Sequence, residues 1–129
     1  MMRFVLGASV GAAVLVALAC GGKGAAPAPT PAGAAPTTVT VRAVRTIRWE
    51  RDELTAPAGH IRVRFINEDT GVPHDFAVYR DESHRQLLAK TGLCTAPCEE
   101  TLELDLSPGM YHFMCTVHPG QMEGEIMVR

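Results

Sequence analysis

Short runs that alternate apolar and polar residues fill residues 39–129, and turn residues end each run. In residues 61–65 every second residue is apolar and arginines stand between, which is the period of a strand with one buried face. Similar runs occur at 39–41, 76–78, 102–106, 111–115 and 125–128. Turns rich in Gly, Pro and Asp separate them. The one helix-like piece is a turn or two at 82–90.

Many short strands in fewer than 100 residues predict an all-β domain, either a Greek-key β-sandwich or a small Greek-key barrel. The total length of 129 residues predicts one domain and excludes a multidomain enzyme. A domain this small buries only about 60–65% of its unfolded surface, so we expect a crosslink or a metal to stabilise it. Four cysteines and five histidines are available for that role.

The charge balance excludes nucleic-acid binding by electrostatic attraction. The net charge is −2, and the basic residues form no polybasic tract. Residues 65–129 hold eleven acidic residues against four basic ones, whereas arginines line the early strands. We interpret this asymmetry as a solvated face.

Residues 1–38 differ in composition from the rest of the chain. Arg3 precedes a short apolar core that ends in small residues, which is the pattern of a signal peptide over residues 1–19. A membrane-spanning helix needs about 20 apolar residues, and this run is shorter and contains glycines. Residues 20–38 are rich in Gly, Ala and Pro and predict a disordered tether, which leaves 39–129 as the folded domain.

Cys20 is the candidate lipidation site. Residues 17–20 read Ala-Leu-Ala-Cys and resemble the lipobox of bacterial lipoproteins, in which the cysteine becomes the lipidated first residue, although Ala17 stands where leucine is usual. The alternative is ordinary cleavage after Ala19, which would leave the Cys20 thiol without a partner in an oxidising compartment. Both interpretations predict a location in the periplasm or at the cell surface. Lipidation would add a membrane anchor.

A set of soft metal ligands is concentrated near the C-terminus. Cys115 ends an alternating strand, His118 follows across a Pro-Gly turn, and Met122 precedes the next strand. His74, which follows an earlier strand and its loop, supplies a second imidazole. Two histidines and a cysteine in one plane, with a weak axial methionine, form the blue-copper arrangement.

These blocks resemble the cupredoxin family, in particular its small plastocyanin-like and amicyanin-like domains. The resemblance covers residues 39–129 and includes the lead-in Pro-Gly-x-Tyr-x-Phe-x-Cys at 108–115. It implies a Greek-key β-sandwich that holds one type 1 copper ion. The implied ligands are His74, Cys115 and His118 in the plane and Met122 on the axis.

Two positions depart from the family pattern or vary within it. Asp75 stands where the family usually has an asparagine that ties the two ligand loops together. A carboxylate there can still accept a backbone N–H bond near Thr116, and its charge predicts a lower reduction potential. Because the spacing from His118 to the axial ligand varies in the family, Gln121 is the alternative to Met122.

Cys94 and Cys98 allow three interpretations: a disulfide, free thiols or a second metal site. Binuclear copper sites place two cysteines at this spacing, but their loop continues with a histidine and a methionine. Here Glu-Glu-Thr follows at 99–101. A secreted domain favours the disulfide. For His60, His84 and His112 we expect surface or interstrand positions.

We expect a monomeric electron carrier and not an enzyme, because the implied ligands leave no open coordination position and no His-x-His pairs could build a multinuclear site. The edge of His118, beside Val117, Pro119 and Gly120, would be the docking patch for a redox protein, such as a c-type cytochrome, an oxidase or a reductase. Two other functions are copper sequestration or delivery, and adhesion or scaffolding by a sandwich that lacks copper. The full ligand set argues against the last.

Overall fold

The computed structural model describes residues 35–129. The predicted signal peptide, the lipidation site Cys20 and most of the predicted tether lie outside the described residues. Within 35–129 no helix is long and apolar enough to cross a membrane. The strands are β1 (Thr37–Val44), β2 (Arg48–Trp49), β3 (Glu53–Ala56), β4 (Gly59–Asn67), β5 (Pro73–His74), β6 (Ala77–Tyr79), β7 (Leu87–Lys90), β8 (Cys94–Thr95), β9 (Cys98–Leu106), β10 (Gly109–Met114) and β11 (Glu123–Val128).

The strands form two main sheets that share one hydrophobic core. One sheet has the order β2-β1-β4-β9 and the other the order β3-β11-β10-β6-β7, while β5 and β8 form a separate short pair. Neighbours that are distant in sequence require connections that cross between the sheets, as in a Greek key. The predicted all-β sandwich is confirmed. The first strand starts at Thr37, two residues before the predicted start of the domain.

The direction of β1 fixes where the chain enters the sandwich. β1 runs parallel to β4, with Thr37 opposite Ile61 at one end and Ala43 opposite Asn67 at the other. The loop that follows Asn67 leads to His74. The chain therefore enters at the end away from His74.

Alternation along β4 sorts its side chains between the core and the solvent. Ile61, Val63 and Phe65 are almost completely buried. Arg62 and Arg64 point outward, where they form ion pairs with carboxylates of β9, the antiparallel neighbour of β4. The arginines of this early strand therefore form a solvated, charge-paired face.

An aromatic cluster joins the two sheets. The ring of Trp49 makes edge contacts with Phe65, Phe76 and Phe113, at centroid distances of 6.1, 5.7 and 5.6 Å. Phe76 and Phe113 also contact each other, with 5.0 Å between centroids. Aromatic pairs at these distances stabilise a core beyond the area that they bury. The cluster therefore anchors the chain segments that lead to His74 and Cys115.

The predicted helical turns at 82–90 are wrong. Asp81 Oδ1 accepts a hydrogen bond from the backbone N–H of Ser83 at 2.9 Å, and His84 adopts a left-handed φ of 52°. The backbone N–H of Arg80 donates to Gln86 O at 3.0 Å. The side-chain bond of Asp81 favours a turn over a helix. The chain therefore reverses, and β7 pairs with β6 as an edge strand.

Gly124 offers a test of core packing, because an added Cβ would meet atoms that cannot move away. The Cβ would lie 2.3 Å from the Phe113 ring and 2.4 Å from the backbone oxygen of Asp52. Overpacking of this kind costs about 1–3 kcal/mol. We expect Gly124→Ala to lower the free energy of unfolding by about that amount, measured by chemical denaturation with circular dichroism.

Gly92→Ala is the matched control. An added Cβ there would be 3.7 Å from its nearest neighbour, a carboxylate oxygen of Glu100. Its unfolding midpoint should stay close to that of the natural protein. Equal midpoints for the two variants would contradict this account of the packing.

Candidate metal centre

Separate elements bring His74, Cys115 and His118 together at one end of the sandwich. His74 ends β5, Cys115 directly follows β10, and His118 lies in the turn between β10 and β11. Two backbone bonds hold this turn: His118 N–H donates to Cys115 O at 3.2 Å, and Cys115 N–H donates to Met122 O at 2.9 Å. The loop therefore closes as a hairpin whose inner side carries the ligands.

The donor atoms of the three side chains form a triangle. His74 Nδ1 lies 3.1 Å from His118 Nδ1 and 3.6 Å from Cys115 Sγ, and Sγ lies 3.5 Å from His118 Nδ1. The point equidistant from the three atoms is about 2.0 Å from each, near the ~2.0–2.1 Å of metal–nitrogen bonds in protein zinc sites. Within 35–129 no other group of three or more His, Cys or acidic side chains has its donor atoms so close together. The triangle therefore has the size of a metal site.

The fourth predicted ligand is also in the interior. Met122 is fully buried and belongs to the same core cluster as Cys115, whereas the neighbouring Gln121 is exposed. A buried thioether is a suitable weak axial ligand for copper. The burial of the two side chains favours Met122 over the alternative Gln121.

Burial changes the protonation of the donor groups. It raises the pKa of the Cys115 thiol, and the carboxylate of Asp75 adds to the increase. It lowers the pKa of His118, and the nearby His74 lowers it further. The metal-free site therefore favours a neutral imidazole at His118 and a protonated thiol, so metal binding releases the thiol proton.

Asp75 connects the two ligand loops. Its side chain is buried, and Oδ1 accepts the backbone N–H of Thr116 at 2.6 Å while Oδ2 accepts the Thr116 hydroxyl. Lys90 Nζ lies 3.1 Å from Oδ2. Burial raises the pKa of this carboxyl, but the bonds from Thr116 and Lys90 together hold it below the ordinary value. The segments that carry His74 and Cys115 are thus tied together by an ionised side chain.

The disulfide lies beside His74. Cys94 and Cys98 are bonded, as predicted, with their Cα atoms 6.2 Å apart. Cys94 is directly opposite His74 in the pairing of β5 with β8. The buried amide of Asn67 donates to Cys94 O at 2.9 Å and to Val72 O at 2.8 Å. The crosslinked hairpin and the loop before His74 therefore form one hydrogen-bonded unit.

The sequence did not single out Lys90, Asn67 or Asp69 at this centre. Lys90 reaches Asp75 only because residues 87–90 form a strand beside β6, and that segment was predicted as helical. Asp69 accepts a bond from Nε2 of His74 at 3.1 Å, although its position in the sequence suggested only a turn. The N–H of Ile47 is the main cause that holds the pKa of Asp69 below its ordinary value, against a smaller opposing effect of burial.

Uncharged residues flank His118 at the surface. His118 is half-buried, and Val117, Pro119 and Gly120 beside it are exposed. His74 and Cys115 have no exposed surface. The other histidines do not join the centre: His60 pairs with carboxylates of β9, and the rings of His84 and His112 lie near each other. His118 is therefore the ligand through which the centre reaches the surface.

Known proteins with this fold include copper proteins. Residues 11–128 match the family described as the Cupredoxin-like domain, while no curated protein matches the chain significantly. Auracyanin A, a "blue" copper protein from Chloroflexus aurantiacus, is 19% identical, with a TM-score of 0.65 over 74% of this chain and 100% of that chain. Auracyanin from Roseiflexus castenholzii is 22% identical, with a TM-score of 0.65 over 74% and 99%.

The azurin Az-iso2 from Methylomonas sp. strain J is 15% identical, with a TM-score of 0.61 over 74% of this chain and 99% of that chain. At these identities the likenesses establish the fold alone. The family match extends over most of the chain, and His74, Cys115, His118 and Met122 form a site typical of a type 1 copper centre. The chain therefore belongs to the cupredoxin-like family.

Proposed function

We propose that this protein carries single electrons between redox proteins outside the cytoplasm, with one type 1 copper ion as its redox centre. The triangle of His74 Nδ1, Cys115 Sγ and His118 Nδ1 carries this proposal, because its size suits one metal ion. A bound copper ion would supply a couple between Cu(II) and Cu(I). The ligand set leaves no position for a substrate, which favours electron transfer over catalysis.

In electron transfer, the polypeptide would hold the metal ligands in fixed positions. Cys115 is held by its backbone bond to Met122, and the adjacent Thr116 is held by Asp75. Both ligand-bearing segments continue into strands of the packed sandwich. Since interiors packed in this way transmit strain and do not absorb it, we expect little rearrangement when the oxidation state changes.

The proposed contact with partners is the apolar patch formed by Val117, Pro119 and Gly120 around the edge of His118. This ring is the one planar ligand with exposed surface, so it gives a short route between the centre and a docked redox protein. A c-type cytochrome, an oxidase or a reductase would suit such a patch. We expect the protein itself to act as a monomer.

The proposed location outside the cytoplasm has two supports. Residues 1–19 have the pattern of a secretory signal. The bond between Cys94 and Cys98 suits an oxidising compartment, since disulfides are rare in the cytosol. We further propose that lipid attached to Cys20 holds the protein at a membrane.

The first test is the visible spectrum after addition of Cu(II). We expect an intense thiolate-to-copper band in the natural protein, and its complete loss in Cys115→Ser, because the sulfur ligand is removed. His60→Gln is the control, because His60 lies on the surface away from the centre, and this variant should keep the band. A colourless protein that binds only Cu(I) would contradict the electron carrier and indicate copper sequestration or delivery.

A second test concerns the charge of Asp75. We expect Asp75→Asn to raise the reduction potential by roughly tens of millivolts, because a nearby carboxylate favours Cu(II); about 59 mV corresponds to a tenfold change for a one-electron couple. Lys90 offsets part of this effect. Voltammetry of the copper protein measures it.

Asp105→Asn is the charge-matched control for Asp75→Asn. Its side chain is 79% exposed on β9, where it pairs with His60, so the reduction potential should not move. The same potential in the natural protein and in Asp75→Asn would show that this carboxylate does not set it.

A third test concerns Cys20. We expect the full-length protein to sediment with membranes in a bacterial host that processes lipoproteins, and most of Cys20→Ser to move to the soluble extracytoplasmic fraction. Mass spectrometry of the N-terminal peptide should show a diacylglycerol group on the natural cysteine. A soluble natural protein with an unmodified Cys20 would instead support ordinary signal cleavage.

A further inference from the structure

The two ring nitrogens of His74 face different groups. Nδ1 lies 3.1 Å from His118 Nδ1 and 3.6 Å from Cys115 Sγ, and therefore points at the metal centre. Nε2 lies 3.1 Å from Oδ2 of Asp69. The side chain of His74 is fully buried and that of Asp69 is 8% exposed, so the pair is almost removed from water.

The contact with Asp69 defines which nitrogen carries the proton. An ionised carboxylate oxygen can only accept a hydrogen bond, so the proton of a neutral His74 lies on Nε2. Nδ1 then presents its lone pair to the centre, as a metal ligand must. For a neutral ring, the contact with Asp69 therefore selects the tautomer that binds a metal.

The carboxylate of Asp69 is itself held in place. Oδ2 accepts a second bond, from the backbone N–H of Ile47 at 3.0 Å, and this bond fixes it to the turn between β1 and β2. The backbone N–H of Asp69 donates to Oδ1 of Asn67 at 3.0 Å. Asn67 is bonded in turn to the disulfide hairpin through Cys94. Asp69 is thus a rigid acceptor placed behind the imidazole.

The Asp69 carboxylate also has different neighbours from the Asp75 carboxylate. Asp75 has Lys90 as an ion-pair partner at 3.1 Å. Among the described residues, His74 is the one basic side chain within ion-pair distance of Asp69. Arg45 acts on this carboxylate only at longer range, where it helps to lower its pKa, and no lysine or arginine of the described residues forms a direct pair with it.

We propose that Asp69 is a positioning residue for the buried ligand His74: it fixes the tautomer and orientation of the ring and adds a negative charge that favours Cu(II) over Cu(I). The effect on copper rests on the proposed function. The effect on the tautomer does not rest on it, because it concerns the protein without a metal. Loss of an outer partner of a metal-bound histidine typically costs about 10–100-fold in metal affinity.

Two variants of the full chain separate the hydrogen bond from the charge. Both bonds reach the same oxygen, so the amide oxygen of Asp69→Asn can accept them while the charge is lost. Asp69→Ala removes the acceptor and the charge together. Glu68→Gln is the matched control, because it removes one charge at the adjacent residue, whose half-exposed side chain pairs with Arg42.

The first readout is long-range ¹H–¹⁵N NMR of the metal-free protein in mildly alkaline buffer. We expect a single Nε2–H tautomer of His74 in the natural protein, in Asp69→Asn and in Glu68→Gln. In Asp69→Ala we expect a mixture of tautomers, because the acceptor is gone. The same single tautomer in Asp69→Ala would overturn the role in fixing the ring.

The second readout uses Cu(I) and Cu(II) ions in competition with chelators, together with voltammetry. We expect the affinity for Cu(II) to fall about 10–100-fold in Asp69→Ala, and less in Asp69→Asn. The affinity for Cu(I) should fall less than that for Cu(II) in both variants. The reduction potential should therefore rise in both and stay unchanged in Glu68→Gln.

The outcomes distinguish this proposal from the proposed function. If the natural protein forms no blue copper site, the proposed function fails, while the NMR readout still decides whether Asp69 selects the tautomer. If copper binds and the potentials of Asp69→Asn and Glu68→Gln are both unchanged, the charge effect of Asp69 is refuted. If Asp69→Ala does not fold, a potential of Asp69→Asn equal to that of the natural protein still refutes the charge effect.

Discussion

Polar metal ligands placed inside an apolar core are the constraint on which the rest of the structure depends. Burying an imidazole or a carboxylate without a partner costs several kcal/mol, so these side chains near the centre need hydrogen bonds. His74 meets this need with Asp69, and Asp75 meets it with Thr116 and Lys90. The loops around the centre take the shapes that allow these bonds.

These bonds also explain how a domain of this size holds three chain segments in fixed positions: the segment of His74, the segment of Cys115 and the turn between β1 and β2. On one side Asp75 joins the segment of His74 to that of Cys115. On the other side Asp69 joins the loop before His74 to the turn between β1 and β2, and Asn67 joins it to the disulfide. The aromatic rings around Trp49 belong to the same core cluster as Cys115 and Met122. The centre is therefore supported by two sets of hydrogen bonds and by close packing in the core.

Much of the fold and the ligand set could be predicted because their signals are local. Alternation along residues 61–65 indicates a strand without reference to the rest of the chain, and Cys115, His118 and Met122 lie within eight residues. Asp69 and Lys90 could not be found in this way, since their contacts depend on how distant strands pair. Lys90 reaches Asp75 through the pairing of β6 with β7, and the side-chain bond of Asp81 creates that hairpin where a helical turn was predicted.

The parallel pairing of β1 with β4 gives the domain two distinct poles. Thr37 is opposite Ile61, six residues along β4 from Asn67 and the metal loops, or about 20 Å at strand spacing. A pull applied to the chain at Thr37 would therefore first load the hydrogen bonds between β1 and β4 in shear, at the end of the sheet away from the loops that carry the ligands. The start of β1 and the metal centre are separated by the length of these paired strands.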